Sequence, residues 1–542
     1  MRKRIVLFLI IPIMVIWLSG SGFARDANWL LSELDIKPDQ GSVWWDLPFQ
    51  YAQTSWPTIH RDSRNSNYLP FTTSSKLKPK WHALEGEYSA VITPPVIGPE
   101  GHIYFTTGRE EEYGNLHAFD WEGNELWRSY LPDGGAFGSS PLIDRDGDLY
   151  LADLDEFFSF HSDGSLKWKC SIDGPFASTV FSLDGHIIGI NVDGQVYALD
   201  PRDGRMAAPP LDLPGPPPGE FYRIPAPPGL WKGMVNENGP ITVSEAFNGL
   251  MGYRFKITNT PVVNPANGRI YILGSVKSAD RGSVIQGRFY GIDFVPGKNN
   301  KPGELRLVFQ SKINAGSGSS PAISADGRHI YALDGAGVLH AFDKNGERVW
   351  KLHVGTMPAS PTIGPDGTIY CVSGSALHAI KDSGDSGTIA WELDFTDAAA
   401  KKLSDSPSPW IEKFSSRKVK PTVNCNSVVS SSKNHLYLTL SAGYEISRER
   451  GNIPLFLPLQ SLLVVVSPPG IAGVQRAKIS SIIELPDTNE GILTLDKSGT
   501  VFCSHASIAT SSAYYIAQRM MGAEIDFPRP IGGVTVLVPE GP

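Results

Sequence analysis

The chain has 542 residues, a formal net charge of −8 and only 19% charged residues, with 55 glycines and 43 prolines. So mild an acidic balance, with no basic stripe, excludes a nucleic-acid partner, and the glycine and proline content favours many tight turns over long helices. Four scattered cysteines (Cys170, Cys371, Cys425, Cys503) form no CxxC pair and match neither a zinc site nor a c-type haem attachment, so buried strand thiols are favoured over disulfides.

Residues 1–24 read as a secretory signal peptide. Arg2-Lys3-Arg4 is the basic region, Ile5 to Leu18 the apolar core, and Gly22-Phe23-Ala24 the small-residue cleavage site. The apolar core is 14 residues long, short of the ~20 that a membrane helix needs. An uncleaved anchor is the alternative reading, and no cysteine follows the core to carry a lipid. Residues 25–76 form an N-terminal extension: Asn28 to Leu34 is predicted as a short helix, and Trp56 to Asn67 (WPTIHRDSRNSN) is polar and turn-rich. Leu77 to Leu84, LKPKWHAL, has the pattern of an outer strand, with Trp81 placed as in the repeats that follow.

Those repeats are clearest at Ser319 to Trp350, SSPAISADGRHIYALDGAGVLHAFDKNGERVW. Four short apolar or alternating runs are separated by Asp-Gly, Asp-Gly-Ala-Gly and Asn-Gly turns, where glycine accepts the positive φ that tight hairpins require. Similar copies open at Thr93, Ser139 and Ala359, and Trp127 to Trp168 and Trp350 to Trp391 are both 41 residues apart. A period of ~40–45 residues with four strands per unit is the signature of a β-propeller, in which neighbouring sheets bury each other's faces.

In chain order, blade one starts near Thr93, blade two at Ser139 and blade three at Ser178, with a proline-rich insertion at 207–248 after which Gly252 to Ile257 resumes as the outer strand. Blade four spans about Asn259 to Ile313 with a second insertion at 275–286. Blades five and six are regular, and blade seven, Pro421 to Ile483, is degraded. Gly491 to Ala517 supplies the remaining three strands of blade eight, closed by Leu77 to Leu84. The fold class is therefore all-β, an eight-bladed β-propeller (seven as the alternative) of four-stranded antiparallel blades closed by an N-terminal strand. The propeller occupies 77–520, followed by a C-terminal tail at 521–542.

The SPxIxxDGxIY openings (Pro141, Pro321, Pro361) and the LHAFDxxGxxxW closings at Trp127 and Trp350 resemble the PQQ-like repeat family of the quinoprotein alcohol dehydrogenase-like superfamily. Trp56-Pro57 to Asp62 is similar to the W-P-x-x-x-x-D opening many such proteins carry before blade one. The resemblance covers most of Trp56 to Ala517. It implies an eight-bladed ring, and it admits both dehydrogenases and non-enzymatic scaffolds such as the outer-membrane assembly propeller subunit. It also implies that Trp81, Trp127, Trp168, Trp350 and Trp391 pack blade on blade. The family's enzymes hold PQQ with calcium on carboxylates, a stacking tryptophan and a disulfide between adjacent cysteines; this chain has no adjacent cysteines.

No catalytic, cofactor-binding or metal-ligating residue is expected. Asp144 to Asp148 reads as a hairpin turn rather than a calcium loop. His117, His340 and His378 occupy one repeat position on separate blades and need not converge. Arg109 to Tyr113 reads as a solvated acidic loop. Pro216 to Pro218 with Phe221, Tyr222 and Trp231 combines extended backbone with aromatics, a combination suited either to docking a partner protein or to a lid over the ring's own face. The expectation is an exported, monomeric, non-enzymatic propeller, periplasmic or secreted, that binds another envelope or secreted protein. The alternatives are a PQQ- and calcium-dependent quinoprotein dehydrogenase, or a propeller that takes a glycan or small ligand.

Overall fold

The structure is a computed structural model that describes residues 47–541, apart from 88, 110, 175–177, 220–254, 278–284, 299–300, 315–317, 356–358, 406–418, 426, 447–454, 471–472, 490 and 507–530. The predicted signal peptide and short helix, and Phe221, Tyr222 and Trp231, lie outside the described residues.

Eight sheets form the blades of the ring, seven of them wholly antiparallel. In the regular blade five, strands Ala322–Ile323, Ile330–Leu333, Val338–Phe342 and Arg348–His353 run from the axis outwards. The two middle strands are buried on both faces, because each sheet is covered on either side by a neighbour. Tyr271 and Phe289 of blade four, for example, share one apolar cluster with Ile323, Ala332 and Phe342 of blade five.

The outermost strands carry the repeated tryptophans, and each indole reaches forward to the next blade. Trp127 Nε1 donates to the Ser162 carbonyl at 3.0 Å, Trp168 Nε1 to Pro201 at 2.9 Å, and Trp81 Nε1 to Trp121 at 3.0 Å. The glycine of that receiving turn must lack a side chain: a Cβ on Gly164 (φ 85°) would stand 2.7 Å from the Trp127 ring. Trp391 lies 5.9 Å from Tyr370 and packs against the cluster shared with blade seven. In blade four Phe309 stands at the tryptophan position, over Gly346. Trp350, 7% exposed, donates to Asp382 Oδ1 at 3.0 Å. Replacing Trp350 by Ala is expected to cost about 3–5 kcal/mol in chemical denaturation; a loss under ~1 kcal/mol would show that the indole is not a buried spacer.

Closure follows the expected route. The last sheet orders Thr494–Leu495, Val501–Ser504, Val534–Pro539 and the N-terminal Leu77–Ala83, so chain start and chain end share one blade. The third strand corrects the boundaries read from sequence. Val534–Pro539 belongs to the blade, not to a tail from 521, and 491–517 contributes two strands rather than three among the described residues. Its run of Val534, Val536 and Leu537 is buried, which an exposed tail would not be.

Two further boundaries move. The outer strand of blade three is Leu211–Asp212, inside the stretch assigned to the insertion, and residues 255–257, the described part of 252–257, are not strand. Prolines 209, 210 and 214 confine it to two residues, since proline gives the ladder no donor. Ser275–Lys277 and Ile285–Gln286, the ends of the second insertion, are paired strand that prolongs the central hairpin of blade four. Blade seven, read as degraded, is the largest sheet: Tyr68–Leu69 pairs with its inner strand in parallel, and Val419–Asn424 pairs with the far half of Leu436–Ile446.

Antiparallel order sets which connections share a face: second-to-third turns and blade-to-blade links leave from one side, the other turns from the opposite side. The three longest connections, 213–261, 395–429 and 505–533, all leave from the first side. The helix Thr396–Asp405 belongs to the second of them and buries Ala399 and Leu403. The opposite face carries mainly short turns such as 144–148 and 343–347.

Candidate functional site at the axis

An inner strand has one bonded edge and one edge turned to the axis, and its inward N–H groups need acceptors once water is excluded. The extension supplies them. The carbonyls of Trp56 and Pro57 accept from Ile97 and Ile143 of blades one and two at 2.8 and 3.0 Å. Those of Ser63, Arg64, Ser66 and Asn67 accept from Val263, Ile323, Ile363 and Ser431 of blades four to seven at 2.8–3.0 Å. Blade three is met by the Tyr51 hydroxyl, which accepts from Phe181 N–H at 3.2 Å, and blade eight by Ser55, which donates to Asp496. Residues 51–67 thus touch the inner strands of blades one to seven and the turn that follows the inner strand of blade eight.

Its side chains hold it in shape. Asp62, 1% exposed, accepts through Oδ1 from the N–H groups of Arg64 and Ser66, both at 3.0 Å, and through Oδ2 from the Ser66 hydroxyl at 2.6 Å. Arg61 is fully buried, with Nη1 3.8 Å from Asp62. His60 bridges Asn67 Oδ1 and Ser320 Oγ, both at 2.9 Å, and burial pushes its pKa down to about 4. Asn65 Nδ2 donates to the Pro321 carbonyl at 3.0 Å. Arg61, Asn65 and Asn67 all take positive φ (74°, 52° and 51°), a left-handed conformation that asparagine tolerates and arginine rarely adopts. Sequence reasoning marked this stretch as a family opening but read it as irregular, because a polar run without apolar period normally lies in water.

The other candidates stay apart. Asp144 Oδ1 accepts from the N–H groups of Asp146 and Asp148 at 2.9 Å each, which makes this stretch a hairpin turn. His117 bonds Glu125 and Thr107, His340 bonds Asp334, and His378 bonds Ser373, so each is tied within its own blade. Arg109, read as part of a solvated loop, is buried, with its guanidinium 3.7 Å over the Tyr113 ring and an ion pair to Glu87 at 3.0 Å. All four cysteines are free thiols.

Asp133, Asp153 and Asp155 bring carboxylate oxygens within 4.8 Å of one another. Burial and the neighbouring Asp153 charge push the Asp133 pKa up to about 6. At the matching place in blade five, Asn314 donates to Asp334 at 2.7 Å instead. Asp133→Asn is therefore expected to stabilise the fold by about 1 kcal/mol at pH 7.5, allowing for solvent screening. Its oxygen can still accept the Gly135 N–H that Asp133 holds at 2.7 Å. Because a raised carboxyl pKa destabilises above it and is relieved on protonation, the gain should shrink as pH falls from 6 towards 4. Thermal melts across that range test both signs.

A ring of eight sheets, seven of them four-stranded, built on these repeats is a propeller of the PQQ-like class. The model of the family described as outer membrane protein assembly factor BamB matches residues 112–284 and 301–434, and the chain belongs to that family. No curated protein matches it. Among solved structures it is similar to the quinohemoprotein alcohol dehydrogenase of Comamonas testosteroni, with TM-score 0.53, 11% identity, and 91% of this chain and 82% of that chain covered. It is likewise similar to the quinohemoprotein alcohol dehydrogenase ADHIIG of Pseudomonas putida HK5, with TM-score 0.51, 12% identity and coverage of 90% and 82%. BamB of Moraxella catarrhalis aligns at TM-score 0.43 and 11% identity over 86% of this chain and 100% of that one. At such identities the likenesses concern the fold alone. Among the described residues no helix is long and apolar enough to cross a membrane.

Proposed function

We propose that this protein is an exported, non-enzymatic propeller that holds another envelope or secreted protein. The observation that carries the reading is at the axis: backbone and buried side chains of Trp56 to Asn67 are bonded there to the inner strands of six blades. The residues there do not fit PQQ with calcium. Asp62, the carboxylate of that segment, is taken up by N–H and hydroxyl donors, and the four free cysteines include no adjacent pair to form the disulfide such sites use. Membership in a family named for outer-membrane protein assembly supports a partner protein of the cell envelope and a periplasmic location. The concentration of long connections on one face supports that side as the one presented to the partner.

A thermal-shift assay of the mature protein with PQQ and Ca²⁺, alone and together, tests the reading, because a ligand that binds only the folded state raises the melting temperature. No response is expected. A rise that needs both would overturn the proposal and make this a quinoprotein. Crosslinking in the exporting cell should then capture an envelope protein through the face bearing the long connections; capture through the opposite face alone would reverse the orientation proposed.

A further inference from the structure

The short-turn face has one feature that the scaffold reading does not use. Between blades eight and one lies a cleft of about 480 Å³, bounded by turn 97–101, Trp121, turn 496–498 and residues 53–55 of the extension. That volume falls in the roughly 300–1,000 Å³ range of small-molecule sites.

Trp121 departs from its repeat. The matching turn residue is Ser162 in blade two and Lys344 in blade five, and in each blade its carbonyl serves the previous blade. The Trp121 carbonyl does the same for Trp81, so its large indole is surplus to that role. The ring is half-buried, packs on Phe502 at 5.5 Å and lies over Gly101, where a Cβ would stand 2.5 Å from Nε1. No described residue accepts its N–H. Around it stand the Glu100 carboxylate, 65% exposed and 3.6 Å from His102 Nδ1, Lys497, and Asp496, whose carboxylate is held by Ser55.

These groups select a ligand class. An apolar ligand would strip water from the exposed Glu100 carboxylate without replacing its hydrogen bonds. An anion would face the Glu100 and Asp496 carboxylates. A sugar ring suits both halves, its C–H face on the indole and its hydroxyls on the mixed donors and acceptors of the rim. We propose that this cleft binds a neutral sugar unit of a glycan, with Trp121 as platform and Glu100 as hydroxyl acceptor. The inference is independent of the scaffold reading, which concerns the other face.

The test is calorimetric titration of the mature protein with cellobiose, maltose and N,N′-diacetylchitobiose. Saturable binding of at least one, at high-micromolar to millimolar Kd, is expected. Trp121→Ala and Glu100→Ala should each weaken it at least tenfold, and Trp121→Phe, which keeps the platform and loses the N–H, should weaken it less than Trp121→Ala. Glu100 is exposed, so its variant keeps the test valid if Trp121→Ala fails to fold. No saturable heat with any of the three at about 10 mM, or binding unchanged in both alanine variants, would overturn the proposal. So would tighter binding of spermidine than of every sugar.

Discussion

Asp62→Ala is expected to cost about 3–5 kcal/mol, the range found when one member of a buried charged network is removed. The loss has two parts. Two backbone N–H groups and the Ser66 hydroxyl lose their acceptor in a site without ready access to water, and the Arg61 guanidinium loses a carboxylate 3.8 Å away. The damage then spreads, because Arg64 and Ser66 are the residues whose carbonyls hold blades five and six. Asp62→Asn keeps an oxygen for the two N–H groups and should fall between wild type and Ala. Urea denaturation of the three proteins checks the order. A loss below about 1 kcal/mol for Ala would mean that the axial segment fills space without organising the ring.

Acid should weaken the fold well above the pH at which ordinary carboxylates titrate. Burial pushes both His60 and His505 from 6.5 down to about 4. Each is neutral in the folded chain and protonates more readily in the unfolded one. Their contribution is therefore complete above pH 6.5, is lost as pH falls from 6.5 to about 4, and changes little below that; each accounts for up to about 3 kcal/mol. Asp133 opposes this with one proton of the other sign, so Asp133→Asn should steepen the acid loss. His60→Gln should flatten it by about one proton. An unchanged slope in His60→Gln between pH 6.5 and 4 would show that His60 is not held neutral. His505 sits where the chain ends meet, with Nε2 2.7 Å from Thr535 Oγ1, itself 2.9 Å from His82 Nδ1 on the N-terminal strand. Loosening in acid should thus reach the closing blade as well as the axis.

The repeats were legible because each blade is specified locally. Strand alternation, the glycine turns and the closing tryptophan recur within about forty residues, and the indoles of Trp81, Trp127 and Trp168 reuse the same position against the next blade. The Leu77–Ala83 closure was legible for the same reason, since a lone outer strand bearing Trp81 must pair with something at the other end of the chain. Blade eight was misread at its third strand because Val534–Pro539 lies far from Val501–Ser504 in sequence while pairing with it directly. Trp121 passed unnoticed within a repeat whose other tryptophan explained the pattern.

By itself, then, the sequence determined the architecture: an all-β ring of eight blades closed by the N-terminal strand Leu77–Ala83. What only the tertiary structure decided is the fate of Trp56 to Asn67. Nothing local distinguishes a buried polar segment from a solvated loop, because each has the same composition. The difference arises when the inner strands, brought around one axis, present N–H groups that must be satisfied together, and this stretch is the part of the chain whose carbonyls meet those of six blades while its amides and single buried carboxylate hold it in place.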